Sequence, residues 1–267
     1  MTRKAIIIFS CLSVVAVAGC GSTRGPAGPS LSMPDALAIV NTNAARIDGT
    51  LRAGGNVDGY FRVEGRRRSY HLDGVLFHRA PRYLRFDLRS LGDRKILLGS
   101  NAGEFWFCNT EEDECHCGTH SSADELAEEI PVRPLEIIEA LGLGGVPPGA
   151  ARSQRVLDEY QQVLFGAGRL EKEYWLDRAE PRLIRRVIFR DTDGVVRMQS
   201  SLDDYRSLGP GGPWLPHTMT ADWPTTGAHL RFRISKWSLV SEVGADGPQF
   251  ATPAECGALR QASTGPG

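Results

Sequence analysis

The cysteines offer this chain its most versatile chemistry, and their spacing sorts them into groups. Cys11 and Cys20 fall in an apolar N-terminal segment, Cys108, Cys115 and Cys117 lie close together, and Cys256 stands near the C-terminus. Outside the N-terminal segment the four remaining cysteines are an even set, which in an exported chain reads first as two disulfides. Bridging Cys115 to Cys117 across a single residue is the least favourable pairing, because it strains the link. The expectation is that Cys108 joins Cys115 or Cys117 and that the other joins Cys256. A metal is the competing use, since Cys115-His116-Cys117 with His120 gathers soft ligands. No paired C-x-x-C knuckles occur, so disulfides are preferred and no metal is assigned. Catalytic motifs are missing: there is no G-x-S-x-G elbow, no H-E-x-x-H, no phosphate-binding glycine loop and no dinucleotide fingerprint. His71, His78, His116, His120, His217 and His229 include no pair at ligand spacing on a helix face. Asp203 and Asp204 are neighbours on a predicted strand, so their carboxylates point to opposite faces. The chain is expected to have neither enzymatic activity nor a cofactor.

The compartment is set by the first twenty residues. Arg3 and Lys4 form a charged start, and residues 5–17 are apolar apart from Ser10 and Ser13. This run is too short for a permanent membrane span and fits a signal peptide over 1–19. Val17-Ala18-Gly19-Cys20 places a thiol directly after two small residues, which resembles a bacterial lipobox. That resemblance implies a diacylated Cys20, palmitate-type chains included, and an anchor of two or more acyl groups that is stable at about 0.8 kcal/mol per buried methylene. Gly21 rather than aspartate follows, which by analogy with enterobacterial sorting implies the outer membrane, facing the periplasm. Loss of Arg3 and Lys4 moves the net charge from −1 to −3. Nothing in that balance suggests a nucleic-acid partner.

The remaining chain supplies elements that would position a site. Residues 20–31 are small and Gly/Pro-rich and read as a flexible tether. Ser32, Pro34 and Asp35 open a helix that runs to about Ala45, with Leu37, Val40 and Ala44 on one face. Short β-rich runs follow at 46–53, 57–64, 69–77, 82–88, 95–99 and 104–108, with Gly54-Gly55-Asn56 among the expected turns. Leu84, Phe86 and Leu88 alternate with Arg85, Asp87 and Arg89, which separates an apolar face from a charged one. Phe105-Trp106-Phe107 is apolar on both faces, as in a strand covered twice or one lining a cavity. Residues 109–120 read as a stapled loop, 122–129 as a short helix, and 134–141 as a second helix stopped by Gly142. Strands resume at 154–165, 169–177, 183–190, 195–205, 215–223 and 229–239, and 244–267 reads as a Gly/Pro-rich C-terminal tail with Cys256 its one fixture before a disordered end.

The expected architecture is mainly β with α: a curved antiparallel half-barrel of about eleven strands with two or three helices on its concave side. The lipobox, the helix ending in Asn41-Thr42-Asn43-Ala44-Ala45, Leu84-Arg85-Phe86, and Gly99-Ser100-Asn101 before Phe105-Trp106-Phe107 together resemble the LolA/LolB lipoprotein carriers and receptors of the bacterial envelope. The resemblance spans roughly residues 32–240, and the domain is placed at 32–243. It implies a half-barrel that holds the acyl chains of lipoproteins or lipids between sheet and helices, acting as a monomer. Candidate cavity residues are Leu84, Phe86, Phe105, Trp106, Phe107, Trp175, Trp223 and Phe232. A filled core with no ligand, in an envelope scaffold, is the alternative.

Overall fold

A computed structural model describes residues 26–63, 66–121, 130–147, 149–167 and 170–256. The signal segment, Cys20 and the helix expected over 122–129 lie outside these residues. The strands are β1 Thr50–Val63, β2 Arg66–Arg79, β3 Tyr83–Ser90, β4 Asp93–Ser100, β5 Glu104–Asn109, β6 Glu114–Thr119, β7 Ala151–Val156, β8 Tyr160–Ala167, β9 Leu170–Asp177, β10 Ile184–Arg190, β11 Val196–Ser207, β12 Trp214–Trp223 and β13 Ala228–Val240. Helix α1 is Met33–Ala45 and helix α2 is Pro134–Ala140. Among the described residues no helix is long and apolar enough to cross a membrane.

All strands join one antiparallel sheet of spatial order β6-β5-β4-β3-β2-β1-β13-β12-β11-β10-β9-β8-β7. Two meanders run outward from a central seam where β1 pairs with β13, from Thr50 opposite Val240 to Tyr60 opposite His229. The sheet is mainly β and curled, as expected, but it has 13 strands rather than about eleven. Two places account for the difference. Residues 114–119, expected in a loop, form β6, because Cys108 and Asn109 pair with Cys115 and Glu114. The strand expected over 154–165 divides into β7 and β8.

A compensating merger occurs in β1. Gly54-Gly55-Asn56 is not a turn; the strand passes straight through with a bulge at Gly54/Gly55 against β13. A Cβ at Gly55 would overlap the backbone of Arg233, whereas one at Gly54 meets nothing within 4 Å. Gly55 therefore serves close backbone approach at the seam rather than chain reversal.

The two faces of the sheet are packed differently. Alternate residues such as Leu51, Leu76, Leu84, Phe86, Leu88, Phe105 and Phe107 point to the concave side and share one apolar cluster with Ala36 and Val40 of α1 and Ile137, Ile138 and Ala140 of α2. The convex side carries the charges. There Asp87, nearly buried, takes ion pairs from Arg85 at 3.3 Å and from Arg89 and Arg94 at 3.1 Å each. Burial alone would raise the Asp87 carboxyl, but the guanidinium groups of Arg94 and Arg89 outweigh it and hold it below the usual range.

A second, smaller cluster lies on the convex face: Leu97, Trp106, Cys108 and Cys256, with Cys115 and Cys117 beside them. The Trp106 ring lies over Gly99, its register partner, where a Cβ would strike the indole. Residues 244–256, expected as a Gly/Pro-rich tail fixed only at Cys256, form an ordered strap that delivers Cys256 to this cluster. Phe250 is buried with its ring 5.5 Å from Tyr83, and Thr252 donates to the Glu104 carboxylate at 2.7 Å. Disulfides link Cys108 to Cys115 and Cys117 to Cys256, and the latter fixes the end of this strap. The doubly apolar Phe105-Trp106-Phe107 run is thus a strand covered on both sides, although it lies next to the sheet edge.

Because Gly55, unlike Gly54, abuts the neighbouring backbone, Gly55→Ala is expected to lower stability by about 1–3 kcal/mol. Gly54→Ala should stay within about 0.5 kcal/mol of the parent. Urea denaturation of the two variants checks the contrast, and equal effects would contradict it.

Candidate ligand-binding site

Strand β6 ends at one edge of the sheet and β7 begins at the other. The chain between them has to cross the sheet, and it does so on the concave side, carrying α2. Helix α2 begins with Pro134, whose missing N–H is no loss in the first turn, and it ends before Gly142, which has a φ of 67°. Ile137 and Ile138 bury fully, and each such side chain contributes about 1.5–3 kcal/mol. The helix is also held by its two carboxylates. Glu136 accepts from the Trp223 indole N–H at 2.6 Å, and Glu139 accepts from the Tyr174 hydroxyl at 2.8 Å and from the Lys172 ammonium at 2.5 Å. The Ser200 hydroxyl closes the other end by donating to the Ala140 carbonyl at 2.9 Å.

Helix α1 is fastened differently. Ser32 caps it, accepting from the Asp35 N–H at 3.3 Å, and only Ala36 and Val40 are fully buried. Two side-chain amides each make a two-point clamp. Asn41 donates to the Val146 carbonyl at 3.0 Å and accepts from its N–H at 2.8 Å. Asn43 does the same with Trp214, at 3.0 and 2.8 Å. Such hydrogen bonds contribute about 1 kcal/mol each, so α1 rests on polar latches as well as on Ala36 and Val40.

Between α1 and the turn joining β9 to β10 lies a cavity of about 340 Å³. Ile39, Val40, Leu183, Ile184 and Trp214 supply apolar wall, while Asn43, Arg46, Glu180 and Arg182 stand at its polar side. Arg182 is 5% exposed and pairs with Glu180 at 2.6 Å. The volume is at the low end of the ligand-pocket range of about 300–1,000 Å³. Residues 26–31, expected in the tether, are docked beside it. Gly28 exchanges backbone and guanidinium hydrogen bonds with Arg178 at 2.8–3.1 Å, and Leu31 is held by the Gln161 amide at 2.8 and 2.9 Å.

The eight cavity candidates from the sequence divide by face. Leu84, Phe86, Phe105, Phe107, Trp223 and Phe232 all join the concave cluster under α2, with the Phe86 and Phe232 rings 5.0 Å apart. Trp106 and Trp175 are corrected to the convex side by strand parity. Trp106 lies between two concave phenylalanines, and Trp175 follows the concave Tyr174 and stacks under Arg186 at 4.8 Å. None of the eight lines the 340 Å³ cavity. Sequence reasoning missed the residues that surround that cavity and those that latch α2. Glu136 and Glu139, spaced i, i+3 on a short apolar helix, were the available signal, because ionisable groups there must find partners.

His78 and Glu136 are two of the interior groups whose pKa values are shifted. His78 is 1% exposed, and its Nδ1 donates to the Tyr83 carbonyl at 3.1 Å. Its Nε2 has no partner among the described residues. Burial pulls its pKa down from 6.5 to about 4, because protonation would put a charge and an unmatched donor into the core. For Glu136, burial raises the pKa, and Arg133 and Trp223 only partly offset it.

No family model and no curated protein matches the sequence. Solved structures do match the fold. A LolA superfamily protein from Nitrosomonas europaea aligns with a TM-score of 0.52 at 8% identity, covering 81% of this chain and 97% of that one. A domain described as outer membrane lipoprotein-sorting, from Vibrio parahaemolyticus, gives 0.50 at 13% identity over 79% of this chain and 94% of that one. A DUF1329 family protein from Desulfovibrio piger gives 0.50 at 10% identity over 79% and 94%. The chain has a LolA-like fold.

The two interior groups give opposite pH effects. The His78 contribution is complete above its unfolded pKa of 6.5 and is lost as pH falls toward about 4. Melting temperature should therefore drop across that window, and His78→Leu should flatten the drop. The raised Glu136 favours the fold below 4.5 and loses that contribution as pH rises through its folded pKa. Glu136→Gln, which still accepts from Trp223, should raise the melting temperature at neutral pH. Calorimetric scans from pH 4 to 8 check both.

Proposed function

We propose that this protein is a lipid-anchored envelope lipoprotein that binds acyl chains of lipoproteins or lipids inside its LolA-like half-barrel, on the outer membrane facing the periplasm. The observation that carries the reading is the cavity beside α1: its wall is apolar, its rim is polar, and the helix covering it is held by asparagine hydrogen bonds together with the short apolar contact of Ala36 and Val40. An acyl chain entering there exchanges water for apolar contact at about 0.8 kcal/mol per methylene, while Arg46 and Arg182 face its polar end. Binding is reversible sequestration with no covalent step.

The anchor supports the same reading. Pro26, the first described residue, follows Cys20 by six positions, and residues 26–31 are pinned to the turn that forms the cavity wall. At about 3.3–3.6 Å per residue, an acylated Cys20 would hold the cavity within roughly 20 Å of the bilayer surface. The mouth would then face the source of its ligand.

The test is native mass spectrometry and organic extraction of a chain beginning at Gly21, exported to a bacterial periplasm behind a cleavable signal. About one acyl lipid should co-purify, or added fatty acid or lipopeptide should bind. Ala38→Trp, at an exposed position on the rim, should weaken uptake at least tenfold, or about 1.4 kcal/mol, without unfolding the chain. A protein that is empty and refuses both ligands would instead favour the scaffold reading, for which the close packing of α2 against the concave face already provides a filled core.

A further inference from the structure

The two bridges on the convex face lie side by side, and three of their four sulfurs are mutually close. Cys115 Sγ lies 3.6 Å from Cys117 Sγ and 3.9 Å from Cys256 Sγ, each of which belongs to the other disulfide. The ligand atoms of Cys115, Cys117 and Cys256 all fall within 4.8 Å of one another, and Cys108 is bonded to the first. Strand geometry produces this arrangement. Cys115 and Cys117 are two residues apart on β6 and share its convex face, Cys108 is the register partner of Cys115 on β5, and the strap brings Cys256 over them.

From these distances we propose that the cluster is also a zinc site: two disulfides when oxidised, and a Zn²⁺ tetrathiolate held by Cys108, Cys115, Cys117 and Cys256 when reduced. Zinc–thiolate bonds of about 2.3 Å in a tetrahedron place sulfurs about 3.8 Å apart. The Cys115–Cys117 and Cys115–Cys256 separations, two of the four across the bridges, already bracket that edge. Conversion requires each bridged pair to part and Cys108 Sγ, which lies outside the close group of three, to swing toward Cys117 and Cys256 by side-chain rotation. The surroundings suit a closed structural site, since Cys256 is fully buried and Trp106 and Leu97 pack against it. The buried indole N–H of Trp106 has no acceptor among the described residues, and a thiolate cluster of charge −2 supplies acceptors to this patch.

The balance is complete with a dithiol as reductant. Two dithiols give four electrons and become two disulfides, both protein S–S bonds break, and one Zn²⁺ binds the four thiolates as four protons leave to solvent. The strap stays fixed to β6 in both states, through Cys117–Cys256 in one and through the metal in the other. This proposal does not depend on the acyl-binding reading, since the cluster is on the opposite face of the sheet.

The test uses the full chain in detergent, reduced without oxygen by a phosphine and titrated with Co²⁺ and then Zn²⁺. One equivalent should bind, Co²⁺ should give the intense visible spectrum of tetrahedral tetrathiolate cobalt, and Zn²⁺ should bleach it. Cys256→Ser should change that spectrum to a three-thiolate form, and the oxidised chain should bind neither ion. To cover loss of structure on reduction, the reduced chain is also refolded from urea with and without Zn²⁺. Recovery of the tryptophan near-ultraviolet dichroism only with zinc supports the site. A reduced chain that takes up no Co²⁺ in either protocol, or that binds it weakly with a pale six-coordinate spectrum, overturns the proposal.

Discussion

The structure depends on one topological constraint: the two halves of the sheet grow outward from the β1–β13 pair, so the end of the first meander and the start of the second are a full sheet-width apart. A chain joining opposite edges of a curled sheet can pass over its convex or its concave side. Here α2 passes on the concave side, and its isoleucines are the reason, because they face the continuous apolar surface formed by alternate strand residues. Once α2 is there, its polar atoms need partners inside the half-barrel. Glu136 and Glu139 find them in Trp223, Tyr174 and Lys172, which turns an apolar cleft into a keyed seat.

This arrangement divides the interior into two regions with different physics. Beneath α2 the surface is filled by side chains in contact, and leaving it empty would cost the full transfer and cavity terms. Beneath α1 the surface is incompletely filled, and the cover is secured at its margins by asparagine amides. Amide clamps are directional and individually weak, whereas apolar packing is diffuse and collectively strong. The α1 end is therefore the less tightly filled of the two, and the docked residues 26–31 bring the N-terminal segment to that same end.

Much of the fold was legible because strands declare their faces. The alternation of Leu84, Phe86 and Leu88 with Arg85, Asp87 and Arg89 separated an apolar face from a charged one, and these are the concave and convex sides. The cap of Ser32 and the stop at Gly142 placed both described helices to within about two residues. Glycines at 54 and 55 misled, since the same residue type serves turns and close backbone approaches, and only the neighbouring strand tells which. The site was less legible. Aromatic residues marked the core well but not the cavity, because a core and a cavity wall share composition and differ only in whether the opposite side is filled. Trp106 shows how far a pattern reaches: its apolarity was plain, but it packs against a strap that read as a Gly/Pro-rich tail fixed only at Cys256.

The central seam also has a kinetic side. Each meander is built from neighbouring hairpins that can form as soon as their residues emerge, but Thr50 meets Val240 only when nearly the whole chain is present. Pairings of such separation are slow, since loop-closure entropy must be overcome before any contact rewards it. Until the seam closes, β1 and β13 are two long unpaired edges facing one another, the kind of surface that recruits strands from other chains. The bulge at Gly54 and Gly55 interrupts the regular ladder along that edge, so a foreign strand of plain register would match β1 less well than β13 does.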